Sequence, residues 1–113
     1  MFGALARIFP VKTRELEAKL TGVQGHTGYG EVEIDYWSNG RAQVEVELRG
    51  IAGLAADLVV AGRPVGTVPL DNGRADYDFD AQPLSEAFQA QDGDIVEIHQ
   101  NGIAVLHGVL VVD

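Results

Sequence analysis

Apolar residues recur at every second position through most of this chain, with polar or charged residues between them. The clearest runs are residues 15–20, 31–36 and 43–48. A period of two is typical of a β-strand with one buried face and one face in water. Shorter runs that follow the same rule, separated by turn residues, bring the number of predicted strands to about eight.

Asn-Gly pairs at 39–40, 72–73 and 101–102 predict hairpin turns, because both residues tolerate a positive φ. A two-residue turn at 39–40 would leave the apolar residues of its two strands on opposite faces. We therefore predict a three-residue loop that ends in a bulge at Gly40 and pairs Ile34 with Val44.

One segment is predicted to form a helix instead of a strand. Pro83 in a first turn and Gly93 just past the end predict a short helix near 83–91. The predicted fold is therefore all-β, a mainly antiparallel β-sandwich or flattened barrel of about seven to nine short strands, with this one helix. The length suits a single β domain at 15–113, preceded by a leader at 1–14.

The leader is apolar and basic. Phe2, Leu5 and Phe9 fall at helical spacing, which predicts a short amphipathic helix. Arg7 and Pro10 interrupt the apolar stretch that a signal peptide needs, and no segment reaches the ~20 apolar residues of a membrane span. We predict a cytoplasmic protein.

The chain is acidic, with 17 Asp and Glu against eight Lys and Arg and a net charge of −9. Residues 1–20 carry a net charge of +2, so the remainder carries −11. Such a charge opposes nucleic acid and anionic lipid as partners. The absence of cysteine excludes disulfides, thiolate metal sites and a cysteine nucleophile.

Acidic residues face one another across the hairpin around 38–40. The predicted register places Glu33 opposite Glu45 and Glu31 opposite Glu47, although like charges directly opposite are destabilising. Such a face is either a solvated surface that deters edge-to-edge aggregation or a binding surface for a cation or a basic partner. These four glutamates and the three apolar leader residues are our candidate partner-binding residues.

No catalytic residue, metal site or cofactor is predicted. A simple turn at 101–102 places His99 and His107 on opposite faces of the sheet unless a bulge intervenes, so one metal ion could not bind both. Neither Ser38 nor Ser85 stands in a nucleophile motif.

Glycines crowd residues 22–30 without forming a phosphate-binding motif. The simplest interpretation is a mobile loop or a bulged strand entry. The alternative is a ligand-contacting loop to which His26, Tyr29 and the sole tryptophan, Trp37, supply side chains.

These observations favour a non-catalytic protein-interaction or assembly module, which contacts a protein partner or a second copy of itself. Two alternatives stay open. One is a ligand-binding module for carbohydrate, peptide or Ca²⁺ that uses the loop at 22–30 and Trp37. The other is a small hydrolase.

Overall fold

A computed structural model describes residues 9–81 and 89–113 of the chain. The described residues form nine strands, which are β1 (Lys12–Gly22), β2 (Tyr29–Trp37), β3 (Ala42–Arg49), β4 (Ala55–Val60), β5 (Arg63–Pro69), β6 (Arg74–Ala81), β7 (Ile95–Gln100), β8 (Ile103–Val109) and β9 (Val111–Val112). The predicted all-β fold is confirmed. Of the helix predicted near 83–91, residues 83–88 lie outside the described part, and residues 89–91 belong to no helix or strand.

Phe2 and Leu5 of the predicted leader helix also lie outside the described residues. Phe9 is described and is 64% exposed, and β1 already begins at Lys12. A membrane-crossing helix would need a long apolar run, and the described residues contain no helix with one.

Every strand pair is antiparallel, in one sheet with the order β5-β4-β7-β8-β1-β2-β3-β6. The short strand β9 pairs with β1 beside β8. The edge strands β5 and β6 approach each other without forming a ladder, so the sheet is a flattened, nearly closed barrel.

The inward side chains of all but the shortest strand form one core. Leu16, Ile34, Leu58 and Leu106 have no exposed surface. Burying one such side chain contributes roughly 1.5–3 kcal/mol, and a slip of one residue would expose a whole strand's set. The core therefore fixes the register of each strand, and the register fixes which residues face outward.

The loop at 38–40 is confirmed as predicted. Gly40 has φ +85°, and Ile34 pairs with Val44. The turn at 72–73 is also present, closed by reciprocal backbone hydrogen bonds between Asp71 and Arg74. Beyond the pair of Asp71 and Arg74, the strands β5 and β6 separate, because β6 pairs with β3 instead of β5.

The hairpin at 101–102 differs from the prediction. A bulge follows the pair of His99 and Ala104, so Val105 and Leu106 both face inward and Glu97 pairs with His107. His99 and His107 therefore lie on the same outer face, and their predicted separation onto opposite faces is wrong.

Gly108 allows β8 to approach β1 closely. A Cβ atom at this position would lie 2.3 Å from the carbonyl oxygen of Lys19 and 2.7 Å from Cδ2 of Leu20. Real Cβ atoms do not come this close to backbone, so the two strands meet only because residue 108 has no side chain.

We expect Gly108→Ala to lower the free energy of unfolding by about 2–3 kcal/mol, since overpacking in a rigid core costs this much. Urea denaturation followed by circular dichroism measures the loss. The control is Gly102→Ala in the same hairpin, where an added Cβ meets nothing within 4 Å and the cost is only the strain of φ +76°, about 1 kcal/mol. Equal losses in the two variants would contradict the close approach.

Candidate functional site

The outward side chains of β1, β2, β3 and β6 form three rows that each cross four adjacent strands. We call this surface the carboxylate face. Two of its twelve positions hold Lys19 and Gln43. The other ten are acidic: Glu15, Glu17, Glu31, Glu33, Asp35, Glu45, Glu47, Asp76, Asp78 and Asp80.

Besides Lys19, three cations lie at the margins of the carboxylate face. The Lys12 ammonium is 3.0 Å from a carboxylate oxygen of Glu15 and 3.4 Å from one of Asp35. Arg41 and Arg49 pair with acidic residues on the β3 and β6 side. The corners of the face are therefore partly neutralised by the protein itself.

The middle row has no such partner. It consists of Glu17, Glu33, Glu45 and Asp78, which are neighbours across β1, β2, β3 and β6. None of the four forms an ion pair with another described residue. A shallow depression of about 320 Å³ lies over the β2, β3 and β6 part of the face.

The pKa of Glu33 shows most clearly how the surroundings of the middle row affect its carboxyl groups. Burial raises the pKa of this carboxyl to about 8, and contact with Glu45 and the charges of Asp35 and Glu15 act in the same direction. At neutral pH Glu33 is therefore largely protonated. Contact with Glu31 similarly raises the pKa of Glu17 above its ordinary value.

Asp35 is the one polar or charged residue buried in the described part of the chain, with 6% of its surface exposed. Its Oδ2 atom faces Lys12, but Oδ1 has no hydrogen-bond partner among the residues that the structure describes. Burial raises the pKa of Asp35, and the nearby Lys12 opposes that shift. A buried carboxylate oxygen without a donor is costly, so this atom lacks the partner that such groups normally have.

Glu15, Glu33 and Asp113 each place one carboxylate oxygen within 4.8 Å of the other two. Lys12 lowers the pKa of Glu15, whereas contact with Glu15 raises that of Asp113. No other group of three or more potential metal ligands is this tight within residues 9–81 and 89–113, and this one contains no histidine.

The structure does not bring the predicted ligand-binding residues together. His26 is exposed in a tight turn, where its N–H donates to the carbonyl of Val23 at 3.0 Å. Tyr29 and Trp37 are the first and last residues of β2, so a strand rise of ~3.3 Å per residue puts them roughly 26 Å apart. One small ligand cannot contact both ends.

The four predicted glutamates on β2 and β3 do share one face, in the predicted pairs. Sequence reasoning placed Asp35 on the same face but missed Glu15 and Asp113 as neighbours of Glu33. The alternation in 15–20 and 31–36 already indicated that Glu15 and Asp35 face outward. Only the pairing of β9 with β1 brings Asp113 to Glu15.

No protein-family model and no curated protein matches this sequence. Solved structures do match. Two single-substitution variants of superoxide dismutase 5 from Candida albicans are 16% and 15% identical to the chain, each with a TM-score of 0.63. Each match covers 88% of this chain, and 92% and 90% of the respective dismutase chain. The fold is a superoxide dismutase-like β-barrel.

This likeness contradicts the predicted function. Three functions were predicted from the sequence alone: an interaction or assembly module, a loop-based ligand-binding module and a small hydrolase. The fold instead matches that of a superoxide dismutase over nearly the whole length of the chain. Sequence reasoning matched no family, and the identity to these structures is only 16% and 15%.

Proposed function

We propose that this chain is a non-redox protein with a superoxide dismutase-like fold, and that it binds hard divalent cations on its carboxylate face. The observation that carries the proposal is the middle row of carboxylates, which forms no ion pair with a described residue and in which the pKa of Glu33 is raised to about 8. A bound cation would supply the missing positive charge. This surface is distinct from the loop at 22–30.

The carboxylate face is destabilising unless something neutralises it. Each like-charged pair directly opposite on neighbouring strands costs roughly 0.2–1 kcal/mol. Once Glu33 is ionised, the middle row contains three such pairs in succession, Glu17 with Glu33, Glu33 with Glu45, and Glu45 with Asp78. A divalent ion among these side chains turns the repulsion into attraction, which makes the folded barrel a better ligand than the unfolded chain.

The donor atoms decide the class of cation. Carboxylate oxygens suit Ca²⁺ and Mg²⁺, which are hard ions with oxygen-rich coordination. Dismutation of superoxide transfers single electrons and needs a redox-active ion, and imidazole is a preferred ligand of copper and iron. His26, His99 and His107 join no convergent ligand group among the described residues, so the donor set supports cation binding without redox chemistry.

We expect CaCl2 to raise the melting temperature of the full chain at pH 8 beyond the effect of NaCl at the same ionic strength. A free concentration of 100 times the Kd stabilises a protein by ~2.7 kcal/mol, which corresponds to a shift on the order of 10 °C in a domain of this size. The shift should be smaller at pH 5, because protons compete for the same oxygens. Differential scanning calorimetry measures both, and equal effects of the two salts would contradict the proposal.

We expect Glu33→Gln to make the protein more stable at pH 8 in the absence of divalent ions. The pKa of Glu33 is raised from 4.5 to about 8 on folding, so the folded state binds the proton more tightly and stability falls as pH rises through that interval. The variant removes this loss, which is on the order of 2 kcal/mol at a half-buried position. Urea denaturation between pH 5 and pH 8 gives the curves.

Asp78→Asn is the matched control for that series, because it removes one charge from the exposed end of the same row. Its stability curve should follow that of the wild type more closely than the curve of Glu33→Gln does. Identical curves for the two variants would show that total charge, and not the environment of Glu33, governs the pH dependence.

A further inference from the structure

We infer that Asn101, which precedes Gly102 in the turn between β7 and β8, is a site of spontaneous deamidation in the folded protein. The chain has three Asn-Gly pairs, at 39–40, 72–73 and 101–102. The structure restrains the first two pairs more than the third, so Asn101 reacts fastest. This inference does not depend on the cation-binding function proposed above.

The reaction takes place within the Asn-Gly unit itself. The backbone nitrogen of the glycine attacks Cγ of the asparagine, a C–N bond forms, and a succinimide ring closes. The bond from Cγ to the side-chain nitrogen breaks, and that nitrogen leaves as ammonia with the proton of the glycine N–H. Water then opens the ring at one of its two carbonyls and gives aspartate or isoaspartate. Glycine favours the attack because it has no Cβ atom beside its nitrogen.

The local structure controls how often the attack can occur. The asparagine side chain and the glycine nitrogen have to rotate out of their hydrogen bonds before they can react. The rate therefore follows the population of the locally opened turn, as it does in hydrogen exchange. Each additional hydrogen bond that has to break lowers this population roughly fivefold.

Both reacting groups of the pair at 39–40 are held by hydrogen bonds. The N–H of Gly40 donates to the carbonyl of Trp37 at 3.0 Å. Oδ1 of Asn39 accepts from the N–H of Arg41 at 3.1 Å. Two hydrogen bonds have to break before the glycine nitrogen can attack, so we expect Asn39 to react slowest.

The pair at 72–73 is held by the neighbouring loop. The carbonyl of Gly73 accepts from the N–H of Ile51 at 3.2 Å, and a Cβ atom at Gly73 would lie 3.6 Å from the carbonyl oxygen of Ile51. The φ angles of Asn72 and Asn101 are nearly identical, at +51° and +52°. The two turns therefore differ in this contact with Ile51, which restrains only Asn72.

The pair at 101–102 is exposed at both residues. A Cβ atom built on Gly102 meets nothing within 4 Å. Within the described part of the chain, no hydrogen bond holds the side chain of Asn101 or the N–H of Gly102. Opening this turn therefore breaks no contact beyond the hairpin, and water reaches the succinimide directly.

Isoaspartate at position 101 would disturb the β7–β8 hairpin. Its chain runs through Cβ, which adds one atom to the backbone of the turn between Gln100 and Ile103. Gln100 is tied to the preceding loop, because its Nε2 donates to the carbonyls of Ala52 and Ala55 at 2.6 and 3.1 Å. The modified chain therefore gains a negative charge and loses stability in this hairpin.

Incubation of the full chain at pH 8 tests the inference. Trypsin places the three pairs in separate peptides, 20–41, 50–74 and 75–113, because it does not cleave between Arg63 and Pro64. Mass spectrometry then measures the deamidated fraction of each peptide over time. The same incubation in urea is the control, since each asparagine precedes a glycine and the unfolded chain should react at similar rates at all three.

We expect Asn101 in the folded chain to react about fivefold faster than Asn72 and at least about tenfold faster than Asn39. Equal rates at the three positions would overturn the inference, and so would a faster reaction at Asn39 or Asn72. A preference for Asn101 that persists unchanged in urea would assign it to the sequence and overturn the structural cause.

Asn101→Gly is the variant that removes the site, and Asn72→Gly is its matched control. Glycine keeps the left-handed φ of both turns, so we expect both variants to fold, and circular dichroism checks this. Anion exchange of aged wild-type protein should yield a more acidic species with a lower melting temperature. Asn101→Gly should remove most of that species and Asn72→Gly should retain it, whereas equal amounts in the two variants would overturn the assignment.

Discussion

The burial of one face of every long strand is the constraint on which the rest of this structure depends. A barrel of this size has one core, and the leucine, isoleucine and valine side chains that fill it set the register of each ladder. Because strand residues alternate between two faces, each core position also assigns its neighbours to the outside. The carboxylate face therefore follows from the packing of residues such as Ile34 and Val44, which never contact it.

The same constraint explains how the barrel can hold so many like charges together. Repulsion across the middle row costs a few kcal/mol at most, whereas shifting a strand to separate the charges would expose its entire apolar set. The packing of the core therefore sets the register. Contact with Glu31 raises the pKa of Glu17, and burial together with acidic neighbours raises the pKa of Glu33. A surface of this kind is poised to bind cations, since binding removes a cost that the fold cannot otherwise avoid.

The likeness to superoxide dismutase concerns the barrel and leaves its chemistry open. One fold can carry unrelated sites, so activity has to be argued from side chains. In the described part of this chain, the side chains that converge are carboxylates on β1 and β2 with Asp113. The histidines lie elsewhere, with His99 and His107 on the outer face of β7 and β8 and His26 in a turn. The same architecture is thus combined here with an oxygen-ligand surface.

Local pattern was enough to predict much of this protein. The alternation of apolar and polar residues located the strands. A two-residue turn at 39–40 would have put the apolar residues of its two strands on opposite faces, and this gave the correct three-residue loop and the pairs of Glu33 with Glu45 and Glu31 with Glu47. These features involve residues close in sequence, whose geometry is set by turn chemistry and a period of two. Charge alone also identified an acidic surface.

The sequence by itself therefore determined the strands, their faces and the acidic character of the surface. Only the tertiary structure decided which distant residues share a site. Asp113 reaches Glu15 through the pairing of β9 with β1, nearly a hundred residues away in the chain. The bulge at Val105 moved His107 to the face of His99, because one extra residue reverses the facing of everything beyond it. Long-range pairing depends on how the whole core packs, and no local pattern records that.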